Sequence, residues 1–100
     1  MEAADSDKSI RAELSEALGS FGRIRIIMAL AREPNQAFTT YAIREASGLQ
    51  HREDIKANLE KLVAIGWIKQ YKSQFTKYQI NLENERVKLF VDFLQKARFL

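Results

Sequence analysis

The apolar residues of this chain change their spacing near residue 67, and this change limits the folds that the chain can adopt. From residue 10 to residue 66 they recur every three or four positions, which is typical of amphipathic helices. In "WIKQYKSQFTKYQINL", residues 67–82, the spacing alternates, and Tyr78, Ile80 and Leu82 share one face. The pattern predicts a mainly helical body followed by one small β-hairpin.

Capping residues and helix breakers divide the helical part. A first helix ends at a glycine, and Ser20 is a candidate N-cap for a second helix, which Pro34 terminates. The residues "AFT" can supply a very short strand. Thr39 or Thr40 can cap a third helix that stops at Gly48, where glycine permits a tight turn into a fourth.

The C-terminal segment, residues 84–100, predicts a final helix that is capped by Asn84 and continues to the last residue. This helix is apolar on two faces, and one small body cannot bury both. We therefore expect the N- and C-terminal helices to form a homodimer interface. The residues expected there are Ile10, Leu14, Leu18, Leu89, Phe90, Phe93, Leu94, Ala97 and Leu100.

The composition predicts one folded domain over residues 1–100, with a disordered start at residues 1–8. Apolar residues make up 46% and charged residues 29% of the chain, which are ordinary values for a globular protein. Without cysteine, the chain has no disulfide, thiolate metal site or cysteine nucleophile. Its one histidine, His51, cannot form a metal cluster or perform acid–base catalysis alone. We expect no metal, no cofactor and no enzymatic activity.

The start of the chain, "MEAADSDKS", is acidic and polar, whereas a signal peptide is basic and then apolar. No apolar run reaches the roughly 18 residues that suggest a membrane-spanning helix. We therefore expect a cytoplasmic protein that has no membrane partner.

Positive charge is concentrated in the predicted hairpin. Residues 67–82 hold three lysines and no acid, although the net charge of the whole chain is only +3. Such a strip suits a polyanionic partner, but a solvated hairpin that carries lysines explains it equally well. The charge pattern alone leaves both interpretations open.

The order of these elements resembles that of the winged helix-turn-helix regulators, most closely the ArsR-like and MarR-like group of small bacterial and archaeal transcription factors. "GRIRIIMAL" is similar to the opening helix of that group, "YAIREASGLQHREDIKANLEKLVAIGWIK" to its helix-turn-helix core, and "TKYQINL" to the strand that closes its wing. The resemblance covers about residues 21–82. Metal sensing, which is frequent in ArsR-like proteins, does not carry over because the ligating residues are missing, and a small-molecule effector stays unknown.

The resemblance implies a homodimeric, sequence-specific regulator that binds double-stranded DNA and is associated with the nucleoid. Its recognition helix, about residues 51–65, is expected in the major groove, and its wing, about residues 67–82, on the backbone or in the minor groove. The predicted DNA-binding residues are Thr39, Thr40, Tyr41, Gln50, His51, Arg52, Glu53, Lys56, Ala57, Lys61, Lys72, Gln74 and Lys77.

Acidic side chains on the fourth helix keep an alternative open. With Ile55, Leu59 and Leu62 turned inward, Glu53 and Glu60 lie on the outward face. Glu53 can accept a hydrogen bond from cytosine N4 in a DNA reader, or it can simply stabilise the helix N-terminus. The alternative is a winged-helix protein–protein interaction module in a larger transcription or chromatin assembly, with no DNA contact by this helix.

Three apolar residues of the hairpin also admit two roles. Trp67 and Ile68 are interpreted as core residues that anchor the wing rather than as stacking platforms. Phe75, at the hairpin tip, either contacts a sugar or the minor groove or packs on its own hairpin, and the second role is favoured.

Overall fold

The computed structural model describes residues 2–100, with side chains from Ser9 onward. Five helices and three strands follow one another in this part of the chain: α1 Glu2–Leu18, α2 Phe21–Ala31, β1 Phe38–Thr39, α3 Thr40–Ser47, α4 Arg52–Ala64, β2 Ile68–Tyr71, β3 Lys77–Ile80 and α5 Glu85–Lys96. The order confirms the predicted mainly helical class with one hairpin. The disorder predicted for residues 1–8 lies outside the residues whose side chains are described and stays a prediction. No helix in residues 2–100 is long and apolar enough to span a bilayer.

Three of the predicted helix N-caps are confirmed. The side chains of Ser20, Thr39 and Asn84 each accept a hydrogen bond from a backbone N–H group in the first turn of the helix that follows. Each bond satisfies one of the N–H groups that a helix start leaves unpaired. These caps fix where α2, α3 and α5 begin.

The core lies between α4 and the helices that precede it. Ile55, Leu59 and Leu62 of α4 are completely buried, as the helical spacing predicted, and they pack in one cluster with Ile27 of α2 and Ile43 of α3. Burying a side chain of this size contributes about 1.5 to 3 kcal/mol. The buried face holds α4 in place and leaves its opposite face exposed.

The chain leaves α4 through a tight C-terminal turn. Gly66 adopts a φ of 78°, a left-handed conformation that residues other than glycine rarely adopt. The N–H of Trp67 then donates to the carbonyl oxygen of Leu62 at 3.0 Å, which completes a Schellman-type cap. This turn directs Trp67 into the core and Ile68 into β2, and both are buried. Their predicted role as core anchors is confirmed.

The three strands form one antiparallel sheet in the order β1-β3-β2. In the hairpin, Ile68 pairs with Ile80 and Tyr71 pairs with Lys77, so the connecting tip is residues 72–76. Strand β1 adds Phe38 opposite Tyr78. Because β1 leads directly into α3, this pairing joins the wing to the first helix of the helix-turn-helix unit.

The predicted continuation of the last helix to residue 100 is wrong, because α5 ends at Lys96. Arg98 has a φ of 64°, and the N–H of Phe99 donates to the carbonyl oxygen of Leu94 at 2.8 Å. These features are a Schellman cap in which arginine occupies the position usually held by glycine. The chain therefore turns back, and the ring of Phe99 lies 6.1 Å from that of Phe93.

Candidate nucleic-acid interface

A groove of about 490 Å³ separates the hairpin from α3 and α4. Threonine, amide and basic side chains line it together with aromatic rings and one carboxylate. The lining residues are Thr39, Thr40, Tyr41, Arg52, Lys56, Glu60, Gln70, Gln74, Phe75, Thr76 and Tyr78. A surface of this composition offers hydrogen-bond donors, positive charge and stacking faces to a ligand.

The start of α3 forms one wall of the groove. Thr39 Oγ1 accepts from the N–H of Ala42 at 3.2 Å, which leaves its hydroxyl proton free to donate. Tyr41 follows in the first turn, with 69% of its surface exposed. The partial positive charge of a helix N-terminus favours anions such as phosphate.

The floor of the groove is a stripe along α4. Arg52, Lys56 and Glu60 are four residues apart, so they lie above one another on one face of the helix. All three are exposed. The groove therefore has cations at Arg52 and Lys56 and an anion at Glu60, about two turns after Arg52 and one turn after Lys56.

Other residues predicted for the interface lie on the opposite side of α4. Gln50, His51 and Ala57 line a separate depression of about 340 Å³, next to the start of α2. Glu53, Lys61, Lys72 and Lys77 are exposed but line neither surface. The structure thus brings six of the predicted residues together in the groove: Thr39, Thr40, Tyr41, Arg52, Lys56 and Gln74.

The predicted DNA-binding residues omit several polar side chains at or near the groove, including Arg44, Gln70 and Thr76. Arg44 lies with Arg52, Thr40 and Tyr41 around a smaller cleft of about 170 Å³. Its position four residues after Thr40 could have indicated this, because residues at that spacing share a helix face. Gln70 lines the groove from β2, where its Nε2 donates to the hydroxyl of Tyr78 at 3.2 Å.

Three residues of the hairpin tip, Gln74, Phe75 and Thr76, line the groove. Phe75 lines the groove with 63% of its surface exposed, so packing on its own hairpin covers only a minor part of that ring.

The lysines of the hairpin differ in their ion pairing. Lys69, at the base of the hairpin, forms an ion pair with Glu83. The hydrogen bond to Glu83 is the main reason that the pKa of Lys69 is raised. Among the side chains from Ser9 onward, Lys72 and Lys77 have no carboxylate partner.

Exposed large apolar side chains, which we together call the apolar patch, lie on α1, on α5 and just after the end of α5. Its large side chains are between 40% and 68% exposed: Ile10, Leu14, Leu89, Phe93 and Phe99. Four of these five were predicted for the dimer interface. Of the other predicted residues, Leu94 is buried within the chain, Leu18, Phe90 and Leu100 are partly buried against the core, and Ala97 is exposed.

In the part of the chain whose side chains are described, no three histidine, aspartate or glutamate residues lie close enough together to hold a metal ion.

Comparisons with known proteins identify the fold. No family model and no curated protein matches the chain. Among solved structures, it is similar to the homodimeric winged helix-turn-helix DNA-binding domain of Mb0332 from Mycobacterium bovis, a possible ArsR-family transcriptional regulator. The TM-score is 0.69 at 24% identity, over 97% of this chain and 83% of that one.

A second similar structure is reduced HlyU from Vibrio cholerae. Its TM-score is 0.75 at 15% identity, and the similarity covers 97% of each chain. The chain thus has the winged helix-turn-helix fold, in which α3 and α4 are the helix-turn-helix unit and the hairpin of β2 and β3 is the wing.

Proposed function

We propose, on the premise of this winged helix-turn-helix fold, that the protein is a homodimeric transcriptional regulator that binds double-stranded DNA in a sequence-specific manner. Its recognition helix is α4, which would enter the major groove, and its wing would follow the adjacent backbone or minor groove. Function does not follow from fold alone, so the proposal depends on the residues of the site.

The groove between α3, α4 and the wing is the observation that carries the proposal. Arg52 and Lys56 project from the first two turns of α4, where a helix in the major groove reaches base edges. Arg44 and the first turn of α3 lie beside them and offer charge and hydroxyl groups to phosphate. Base-reading and phosphate-binding groups are thus adjacent on one exposed surface.

A homodimer would make more phosphate contacts than a single copy can make. The positive groups at the groove are few, and two copies double every phosphate contact. The apolar patch on α1 and α5 gives a second copy a surface to cover, and the similar domain from Mb0332 is homodimeric. We propose that this patch is the dimer interface and that two α4 helices read half-sites about one helical turn apart.

Binding selection from genomic DNA tests the function directly. The purified chain should enrich short, approximately palindromic duplexes, and its affinity should fall steeply with salt because bound lysines and arginines release counterions. Fluorescence anisotropy on an enriched duplex and on a scrambled one measures both affinity and discrimination. Failure to enrich any duplex at low salt would contradict the proposal.

Two pairs of substitutions distinguish backbone contacts from base contacts. Replacing Lys72 and Lys77 together with alanine should weaken binding to all duplexes and reduce the salt slope by about four for a dimer, or about one per lysine. Replacing Arg52 or Lys56 with alanine should instead change which bases are preferred. If neither pair alters binding, the DNA lies elsewhere on the protein.

A protein-binding module is the second candidate, because Glu53, Asp54 and Glu60 of α4 are all exposed. In that case α4 would contact a basic partner protein rather than DNA. Replacing Glu53 and Asp54 with glutamine and asparagine separates the two candidates. Loss of a partner that co-purifies with the wild-type chain would favour the module, whereas unchanged or tighter DNA binding would favour the regulator.

A further inference from the structure

One carboxylate oxygen joins three elements that are far apart in sequence. Oε2 of Glu13, on α1, accepts a hydrogen bond from Nε1 of Trp67 at 2.6 Å and another from Nε of Arg86 at 2.6 Å. The side chain of Glu13 is only 18% exposed. Hydrogen bonds to an ionised group are shorter and about twice as strong as neutral ones. Glu13 therefore bonds α1 both to the residue before β2 and to α5.

Trp67 lies at the wing root, which we define as residues 66–67 and 81–84. Its side chain is completely buried, and its carbonyl oxygen accepts from the N–H of Asn81 at 3.0 Å. The Gly66 carbonyl oxygen accepts from the side-chain amides of Asn81 and Asn84. Both strands of the wing therefore begin or end at the wing root, which is held together by these hydrogen bonds. Because the core is densely packed, a shift of the Trp67 indole would also move the wing root.

The same indole contacts the helices that carry the apolar patch. Its ring centroid lies 6.0 Å from that of Phe90, and the ring of Phe90 lies 6.3 Å from that of Phe93, a patch residue. Glu13 approaches the indole from α1, which carries the rest of the patch. Trp67 is therefore held between the two helices that we propose to dimerise.

The charge state of Glu13 suits a permanent link. Burial acts to raise the pKa of this carboxyl, but hydrogen bonds from Arg86 and Trp67 and the charge of Arg86 outweigh it and hold the pKa below its usual value. Glu13 is therefore ionised at neutral pH and accepts both hydrogen bonds.

We infer that Glu13 is a positioning residue that fixes the wing relative to the dimer interface, so that DNA affinity depends on it while dimerisation does not. The inference rests on the proposed function. In a dimer, the two wings and the two α4 helices must fit half-sites at one fixed separation. If the wing root can move relative to the dimer interface, that motion must be lost when DNA binds. Such ordering lowers affinity without removing any DNA contact.

Glu13→Ala, Glu13→Gln and Glu16→Ala test this inference. Glu16 lies one turn further along α1 and has no ion-pair or side-chain hydrogen-bond partner among the described residues, so it is the matched control. Three quantities are measured for each variant: anisotropy with a selected duplex, sedimentation, and the emission of Trp67, which is the only tryptophan of the chain. The emission reports the indole environment separately from DNA binding.

We expect Glu13→Ala to remain dimeric, to change the Trp67 emission and to bind DNA about tenfold more weakly, the loss expected when DNA binding must also order one or two side chains that Glu13 holds in the wild type. Glu13→Gln keeps an oxygen that accepts from the indole and should recover most of that affinity, and Glu16→Ala should behave as wild type. A folded Glu13→Ala dimer with altered emission and wild-type DNA affinity would overturn the inference alone. If the wild-type chain binds no duplex, the proposed function fails, and the inference fails with it.

A double-substitution cycle covers the case in which Glu13→Ala unfolds. Trp67→Phe keeps an aromatic ring in the core but removes the donor, and Glu13→Met, which keeps most of the side-chain volume but removes both acceptor oxygens, is the second substitution. If Glu13 acts through the indole, the effects of the two substitutions on DNA affinity should be strongly non-additive. Simple additivity would overturn the inference, because it would mean that Glu13 acts without Trp67.

Discussion

Replacing Phe93 with lysine is expected to convert the proposed dimer into monomers without unfolding them. Phe93 lies in the last turns of α5, where 54% of its surface is exposed in a single copy. Lysine is a good helix former and is favoured near a helix C-terminus. The substitution therefore removes apolar surface from the apolar patch while preserving the helix that carries it.

The magnitude follows from the exposed area. A phenylalanine side chain offers about 200 Å², so the exposed fraction of Phe93 is worth about 110 Å². At about 25 cal/mol per Å², covering that surface contributes about 2.7 kcal/mol in each copy and about 5 kcal/mol in a symmetric dimer. If the partner covers only half of it, the loss is still about a hundredfold in the dimer dissociation constant.

Sedimentation equilibrium over a range of protein concentrations measures this constant, and circular dichroism verifies that α5 remains folded. Phe75→Lys is the matched control, because Phe75 is similarly exposed but lies at the wing tip. It should leave the dimer unchanged. A folded Phe93→Lys variant that dimerises as tightly as wild type would refute the use of α5 as the interface.

Three further changes give distinct results. Glu60→Gln removes the one carboxylate of the groove, and it should raise affinity for unrelated duplexes a few-fold and reduce discrimination between sequences, as anisotropy would show. The low pKa of Glu13 in the folded chain means that its ionised form adds stability above the usual carboxyl pKa and loses this contribution as the pH falls through the folded value. The stability difference between wild type and Glu13→Gln, measured with denaturant, should therefore shrink in acid, and parallel curves would contradict this. Gly66→Ala should cost about 1 to 2 kcal/mol in denaturant unfolding, because a left-handed residue follows α4; an unchanged midpoint would mean that the turn relaxes at no cost.

The sequence predicted the elements whose signals are local. Apolar spacing identified the buried face of α4, and alternation identified the hairpin, because burial of one face imposes the period of each element. Ser20, Thr39 and Asn84 were recognisable as caps because each satisfies backbone N–H groups only two or three residues away. The end of α5 was not recognisable, because the residue that takes the left-handed position, Arg98, is not a glycine.

Contacts between distant segments were harder to predict. The partnership of Glu13 with Trp67 and Arg86 spans 54 and 73 residues, and no local pattern encodes it. The groove shows the same limit, because Gln70 joins it only through the way the wing packs beside α4. Likewise, Lys56 and Ala57 were both predicted to bind DNA, yet Lys56 lines the groove beside the wing and Ala57 lines the depression beside α2.

Glu60, the acidic residue of the groove, is compatible with DNA binding at Arg52 once its position along α4 is considered. Glu60 follows Arg52 by eight residues, a separation of about 12 Å along the axis. That exceeds the Debye length of about 8 Å at physiological salt, so Glu60 does little to neutralise phosphate binding at Arg52 and its neighbour Arg44. Most of the affinity for DNA would then come from the N-terminal end of α4, and Glu60 would affect only the part of the DNA that enters the groove beyond that end. At about 0.01 M salt the Debye length grows to about 30 Å, so the gain in affinity from Glu60→Gln should be larger there than at physiological salt.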